Sequence, residues 1–215
     1  ELKKLECQSV VYYRRTLWEI SSITKEDNTP YKVFTPFYKK GCLSQPKPYL
    51  PKKNANLDNL AAFEDTQKID MICPLPKKSW AKSIIHNWDI SEEGAQNQWK
   101  HFLHNGLKGY KDGRNYPNND NVSRMSPYIH FGQIAVQQLF HETIKFGEGR
   151  DRDHFISELG WREFSYYLLH HFPFMTTQNF QSKFDTFPWQ FNAANYKAWC
   201  EGKTGYPIVD AGMRE

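Results

Sequence analysis

Within HFISELGWREFSYY, residues 154–167, a carboxylate, a guanidinium and large aromatic rings recur at helical spacing. At about 100° of rotation per residue, Phe155, Glu158 and Arg162 fall within a sector of about 60°, and Trp161 lies beside them. A carboxylate, a guanidinium and two large rings thus share one side. The plainer account is a solvated Glu–Arg pair at i,i+4, contributing about 0.3–0.5 kcal/mol, with the rings serving as core. Ile156 and Leu159 already make the opposite side apolar, and a helix needs only one core face, so the mixed side reads as the wall of a pocket. A second constellation lies upstream in NVSRMSPYIHFG, residues 121–132. Ser123 and Ser126 bring hydroxyls, Arg124 a charge, and Ser126-Pro127 an N-cap and first helical position. The outward amides of such a start suit a phosphate, although ordinary capping accounts for the same residues.

Elements must carry these groups, and from residue 89 onward the periodicity is helical. Asp89 is expected to cap a helix, with Glu92 three residues on and Ala95, Trp99, Phe102 and Leu103 forming one apolar stripe up to about Leu107. KDGRNYPNNDN, residues 111–121, reads as a loop. The helix opened at Ser126 runs through Tyr128 and Phe131, breaks at Gly132, and the pattern resumes with Ile134, Leu139 and Phe140. A long helix is expected from Arg152 to His170 and a short one from Tyr196 to Glu201. Ahead of these, YKVFTPFY at 31–38 follows the turn Asp27-Asn28-Thr29-Pro30 and reads as a short edge strand or extended segment. Residues 41–79, with Pro46, Pro48, Pro51, Pro74 and Pro76, read as a linker.

The chain has 215 residues, room for one large domain or two small ones around a sizeable core. Aromatics reach 16%, which excludes disorder, and no run of about 18 apolar residues exists to cross a membrane. Lys and Arg number 28 against 24 Asp and Glu, and the net charge of +4 allows an anionic partner without requiring one. Cys7, Cys42, Cys73 and Cys200 lie far apart with no CxxC pair, so neither a metal nor a disulfide is expected, and a reducing, cytoplasmic compartment is. The chain starts at Glu1 and stops in helical composition at DAGMRE, as a piece of something longer would.

The strings NVSRMSPYIHFG, SELGWREF, FPWQ and AWCEGKTGYPIVDAGMRE, in this order, resemble the FAD-binding domain of the photolyase and cryptochrome family, most of all class I cyclobutane pyrimidine dimer photolyases. TGYPIVDAGMR is close to diagnostic. LWE at 17–19 and PYKVFTPFYK at 30–39 resemble the end of that family's N-terminal α/β domain and its exit. The resemblance implies a mostly α fold: residues 1–40 closing an α/β domain, 41–79 a linker, and 80–215 the first part of a helical FAD-binding domain. It implies light-driven repair, in which an electron from reduced FAD splits a pyrimidine dimer flipped out of DNA and then returns; base flipping by photolyases is a general property of such enzymes.

Carried over residue by residue, Tyr110 matches a FAD-contacting tyrosine and Arg114 a DNA-contacting arginine. Val122, Ser123, Arg124, Met125 and Ser126 match the family's T-S-R-L-S, which holds the FAD phosphates; Val for Thr removes one hydroxyl. Phe155 stands where a flavin-side Trp is common. Glu158 matches the glutamate reaching the pyrimidine bases and the flavin, and Arg162 the arginine between flavin and DNA. Trp161 matches the ring on which the dimer stacks, and Trp189 the outer end of an electron-relay chain whose inner members would follow Glu215. Trp199 matches a structural position. The implied partners are FAD, DNA carrying pyrimidine dimers and an antenna chromophore of folate or deazaflavin type; no membrane partner is implied, and a monomer is expected. With most of the α/β domain and the stretch after DAGMRE missing, the 215 residues are expected to hold FAD weakly and to be inactive alone. The alternatives are a cryptochrome-like photoreceptor that signals without repair, and a helical nucleic-acid-binding module without cofactor.

Overall fold

Among the residues that the computed structural model describes, 15–50, 81 and 86–214, every regular element is helical and none is a strand. The N-terminal unit, Glu1–His171, holds α1 (Phe34–Pro36, continued by a π-helical turn, Phe37–Cys42), α2 (Glu92–His101, continued by Phe102–Gly106), α3 (Tyr110–Gly113), α4 (Ser126–His130), α5 (Val136–Phe146) and α6 (Arg150–His171). The C-terminal unit, Phe172–Glu215, holds α7 (Ala193–Cys200) and α8 (Pro207–Arg214). The helical fold expected from the periodicity is the one observed, and the break between units falls inside the stretch expected to be one domain. Residues 1–14, and 51–79 of the expected linker, lie outside the described residues.

The edge strand expected at 31–38 is absent. Val33 is extended, but the chain turns helical from Phe34. Pro36 is compatible with this because it sits in the first turn, where its missing N–H has no intrahelical acceptor to lose. The helical course lets Phe37, 1% exposed, pack its ring on Phe164 and Tyr167, a contact that outweighs the β preference of Tyr, Val and Phe. The cap expected at Asp89 moves to Ser91, whose Oγ accepts from Gly94 N at 2.9 Å while Asp89 accepts from Ser91 N and Oγ. The expected loop at 111–121 begins inside α3, and α4 counts Ser126 as its first residue with Met125 at the cap position. α7 starts at Ala193 because Asn192 Oδ1 accepts from Asn195 N at 3.0 Å.

α6 is the axis of the first unit. Its buried positions Phe155, Ile156, Leu159, Gly160, Glu163, Phe164 and Tyr167 span more than one side, because α3, α5 and the 37–42 turn all pack on it. Trp99, fully buried, meets Phe102 and Phe155, and its Nε1 donates to Glu142 Oε2 on α5 at 2.7 Å. Tyr167 is fully buried too, yet its hydroxyl is satisfied: it donates to Ile23 O at 2.9 Å and accepts from Tyr31 N at 3.0 Å, tying residues 23–31 to α6. The first residues of the expected linker are anchored, since Trp18 Nε1 donates to Pro46 O at 2.9 Å and His141 Nε2 lies 2.6 Å from Pro48 O.

In the second unit TGYPIVDAGMR is a closed local device. Asp210 Oδ1 accepts from Thr204 N and Oγ1, at 2.7 and 2.6 Å, and Oδ2 accepts from Gly205 N at 3.0 Å. Gly205 has φ +86°, which a side chain would strain, and Arg214 Nη1 returns to Gly202 O at 2.9 Å.

Candidate functional site

The first turn of α6 fixes the site by holding a loop beside it. Asp151 accepts from Gly109 N at 2.8 Å and Lys111 N at 3.0 Å, while Arg150 Nη2 reaches both Asp112 oxygens at 2.6 Å. The Lys111 and Gly109 amides hold the Asp151 carboxyl below the usual carboxylate range. So positioned, Arg114 places Nη1 2.5 Å from Glu158 Oε1 and donates to the Tyr110 hydroxyl at 3.3 Å. His154, one turn before Glu158, approaches the same carboxylate oxygen at 3.5 Å. Arg114 and Glu158 are each about 30% exposed at the side chain, on the border between core and solvent, where a charge-assisted contact is stronger than on an open surface.

Behind this pair, Tyr110 and Phe155 are buried, packed edge-on with ring centroids 5.4 Å apart and both resting on Phe102. Burial pushes the Tyr110 hydroxyl up to about 12, against the Arg114 charge, so it stays neutral.

One turn further along α6, Trp161 is 47% exposed. Phe34 lies parallel to it, with centroids 3.6 Å apart and 11° between planes, and Phe164 meets it edge-on at 6.1 Å. Arg162 points elsewhere. Its Nη1 sits 2.8 Å from Glu163 Oε1, its Nη2 donates to Arg15 O at 2.6 Å, and the guanidinium lies over Tyr166. Glu163 is almost completely buried, and its Oε2 accepts from Leu17 N at 2.6 Å. Desolvation pushes its carboxyl up to about 7 despite the opposing pull of Arg162 and the Leu17 amide. Arg162 also borders a cavity of about 310 Å³ shared with Arg15, His130 and Phe131.

The segment Val122–Ser126 runs on to α4. Arg124 adopts a left-handed φ of +54° and is exposed, Ser126 is exposed, Ser123 is half-buried, and Met125 is buried as an anchor. Ser123 is fixed from behind, since Gln98 Nε2 donates to its carbonyl at 3.1 Å. Two hydroxyls and a guanidinium held on an anchored turn are the donor set that a diphosphate takes.

Of the residues singled out in the sequence, Tyr110, Arg114, Phe155 and Glu158 come together, with Trp161 and Arg162 on the following turn of α6. The shared sector of Phe155, Glu158 and Arg162 does not become a shared contact: Phe155 enters the core, Glu158 takes Arg114, and Arg162 takes Glu163. Trp189 belongs to the C-terminal unit, 77% exposed, with its ring 4.5 Å from Phe187. Three contacts were not read from the sequence. His154 stands four residues before Glu158, and that spacing is the signal that could have found it. Glu163 and Phe34 carry no such signal, because what makes them notable is burial and a contact across the chain.

Known proteins resemble this chain in sequence and in fold. Residues 155–215 match the family described as FAD binding domain of DNA photolyase. Deoxyribodipyrimidine photo-lyase of Agrobacterium fabrum is 35% identical over 205 residues, 93% of this chain and 42% of that protein. Cryptochrome-1 of Arabidopsis thaliana is 27% identical over 220 residues, 93% of this chain and 31% of that protein. The crystal structure of a class III photolyase from Agrobacterium tumefaciens superposes with a TM-score of 0.82 at 35% identity, covering 93% of this chain and 42% of that one. The chain spans less than half the length of these relatives, and the solved one is class III where the motifs suggested class I. Since the likeness runs through the helical fold, the α6 motif and the Asp210 loop alike, the chain belongs to the photolyase and cryptochrome family, in the region of its FAD-binding domain.

Proposed function

We propose that the protein of which this chain forms part repairs cyclobutane pyrimidine dimers in DNA, using light and FAD. The observation that carries the reading is the pairing on α6 of a half-exposed indole, Trp161, with a carboxylate one turn before it, Glu158, whose partner Arg114 supplies positive charge at the same edge. A flipped dimer needs a flat platform and a hydrogen-bonding edge. Trp161 offers the first, and Glu158 acts as the acceptor for the pyrimidine N–H groups. Arg114 neutralises Glu158 while the site waits and meets phosphate when DNA arrives.

For the cofactor, Ser123, Ser126, Arg124 and the backbone between them would hold the phosphates, with the buried Tyr110 and Phe155 backing the flavin side from the core and Arg162, held by Glu163 and the Arg15 carbonyl, flanking it. Val122 and Met125 contribute backbone, the former exposed and the latter buried. FAD, when bound and reduced, supplies the electron that opens the cyclobutane ring under light. Trp189, exposed in the second unit, is the proposed outer relay for refilling the flavin with electrons. The 215 residues alone are proposed to retain FAD weakly: dark purification without a stoichiometric flavin absorption band near 450 nm (~370 nm if reduced) is the expected result.

The test is dimer splitting under blue light by the longest natural form of the protein, loaded with FAD. Trp161→Ala is expected to weaken binding of dimer-containing DNA by about 1–3 kcal/mol, the value of one base–aromatic stack. Repair by Trp161→Ala equal to the parent's sinks the stacking role. A flavin photocycle without any dimer splitting by the parent points instead to cryptochrome-like signalling.

A further inference from the structure

Trp161 is not a free-standing ring. An indole has two faces, and one is covered by Phe34, whose ring lies parallel at 3.6 Å between centroids and 11° between planes. Tyr38, one helical turn on, backs Phe34 in the same orientation, 5.4 Å away at 11°. Trp161, Phe34 and Tyr38 thus form a column of three parallel rings contributed by two distant parts of the chain. Phe164 closes the edge of the indole at 6.1 Å and 72°. With one face and one edge occupied and the residue still 47% exposed, the surface left to a ligand is the opposite face.

The column has a foundation. A Cβ at Gly160 would stand 2.6 Å from the Tyr38 ring, so the absence of a side chain there lets Tyr38 lie directly on α6. The spacing of four between Phe34 and Tyr38 puts both rings on one side of the helical segment 34–42, so seating Tyr38 also seats Phe34 over Trp161. Phe37, buried against Phe164 and Tyr167, pins that segment from the other side.

We propose that Phe34 is a positioning residue for Trp161: it fixes the indole plane before DNA arrives and leaves a single face for one flat ligand, a flipped pyrimidine dimer. The proposal rests on the reading of Trp161 as the stacking platform. A half-exposed Trp free to change rotamer would lose that freedom on binding, and a ring already held on one side loses little, so Phe34 contributes to affinity without touching DNA.

The experiment measures dark binding of two oligonucleotides by the FAD-loaded protein in its longest natural form, one with a single thymine cyclobutane dimer and one undamaged. Phe34→Ala is expected to weaken binding of the damaged strand about three- to tenfold, the range of one aromatic pair, and to leave the undamaged strand unchanged. Phe34→Tyr restores the parent affinity. In a Trp161→Ala background, Phe34→Ala has no further effect, because its action runs through the indole. Phe34→Leu keeps apolar bulk without a flat ring and is read in place of Phe34→Ala if that variant does not fold. Equal losses with and without Trp161, or no loss while Trp161→Ala itself weakens damaged-strand binding, overturn the positioning role alone. A parent with no preference for the damaged strand, or one that Trp161→Ala leaves unchanged, overturns the platform reading and this proposal with it.

Discussion

Glu163 gives the fold a pH dependence that can be worked out in advance. Its carboxylate lies on α6, almost completely buried, between Arg162 and the Leu17 amide. An ordinary glutamate titrates near 4.5, whereas desolvation raises this one to about 7 in the folded chain. Below pH 4.5 both folded and unfolded chains carry the proton, and the full stability is present. As pH rises toward 7 the unfolded chain releases its proton first, so the folded state is progressively disfavoured, and above about 7 the loss is complete. At about 1.36 kcal/mol per pH unit, the gap between 4.5 and about 7 corresponds to about 3 kcal/mol. The assay is urea unfolding of the parent and of Glu163→Gln from pH 4 to 8. Other titrating groups cancel in the difference, which isolates the carboxyl. The parent is expected to lose stability relative to Glu163→Gln by up to about 3 kcal/mol across that window and to hold level above it. A difference curve that is flat between pH 5 and 8, or that slopes the other way, would falsify the claim that burial outweighs Arg162 and the backbone donors at this site.

Three further perturbations read other parts of the framework. Gly160→Ala is expected to destabilise by about 1–3 kcal/mol in chemical denaturation, since its Cβ would meet the Tyr38 ring at 2.6 Å in a packed column. Trp99→Ala, which empties the fully buried centre of the Phe102–Phe155 cluster and strips Glu142 of its indole donor, is expected to cost about 3–5 kcal/mol by the same measurement. Arg114→Gln is expected to lower the slope of log affinity for DNA against log salt by about one, with little change in the preference for damaged strand, when titrated between about 50 and 200 mM salt.

The contrast between α6 and residues 31–42 shows which physics a single sequence carries. The long helix was legible because its period and apolar positions are local, and its ends fell within two residues of those expected. In the 31–38 segment Tyr, Val and Phe favour a strand locally, whereas Phe37 gains more by entering a core built from Phe164 and Tyr167, over a hundred residues away. The cap at Ser91 instead of Asp89 is a smaller case: Asp89 forms an Asx turn with the Ser91 amide, and Ser91 Oγ, two residues on, takes the Gly94 amide.

At the site, helical geometry gives Phe155, Glu158 and Arg162 one sector of α6 and leaves their partners open, because a sector states where a side chain leaves the backbone and not what it meets. Glu158 had Arg162 four residues away as a local partner and took Arg114 instead. That choice follows from the staple at the start of α6, where Asp151 and Arg150 hold the 109–112 backbone and so deliver Arg114 to Glu158. Arg162, released from that pairing, is taken by Glu163 and the Arg15 carbonyl. The chemistry of α6 is therefore set by two anchored loops, one carrying Arg114 and the other reaching Glu163 through Leu17. A change in either loop is expected to act on the site even where α6 itself is unaltered.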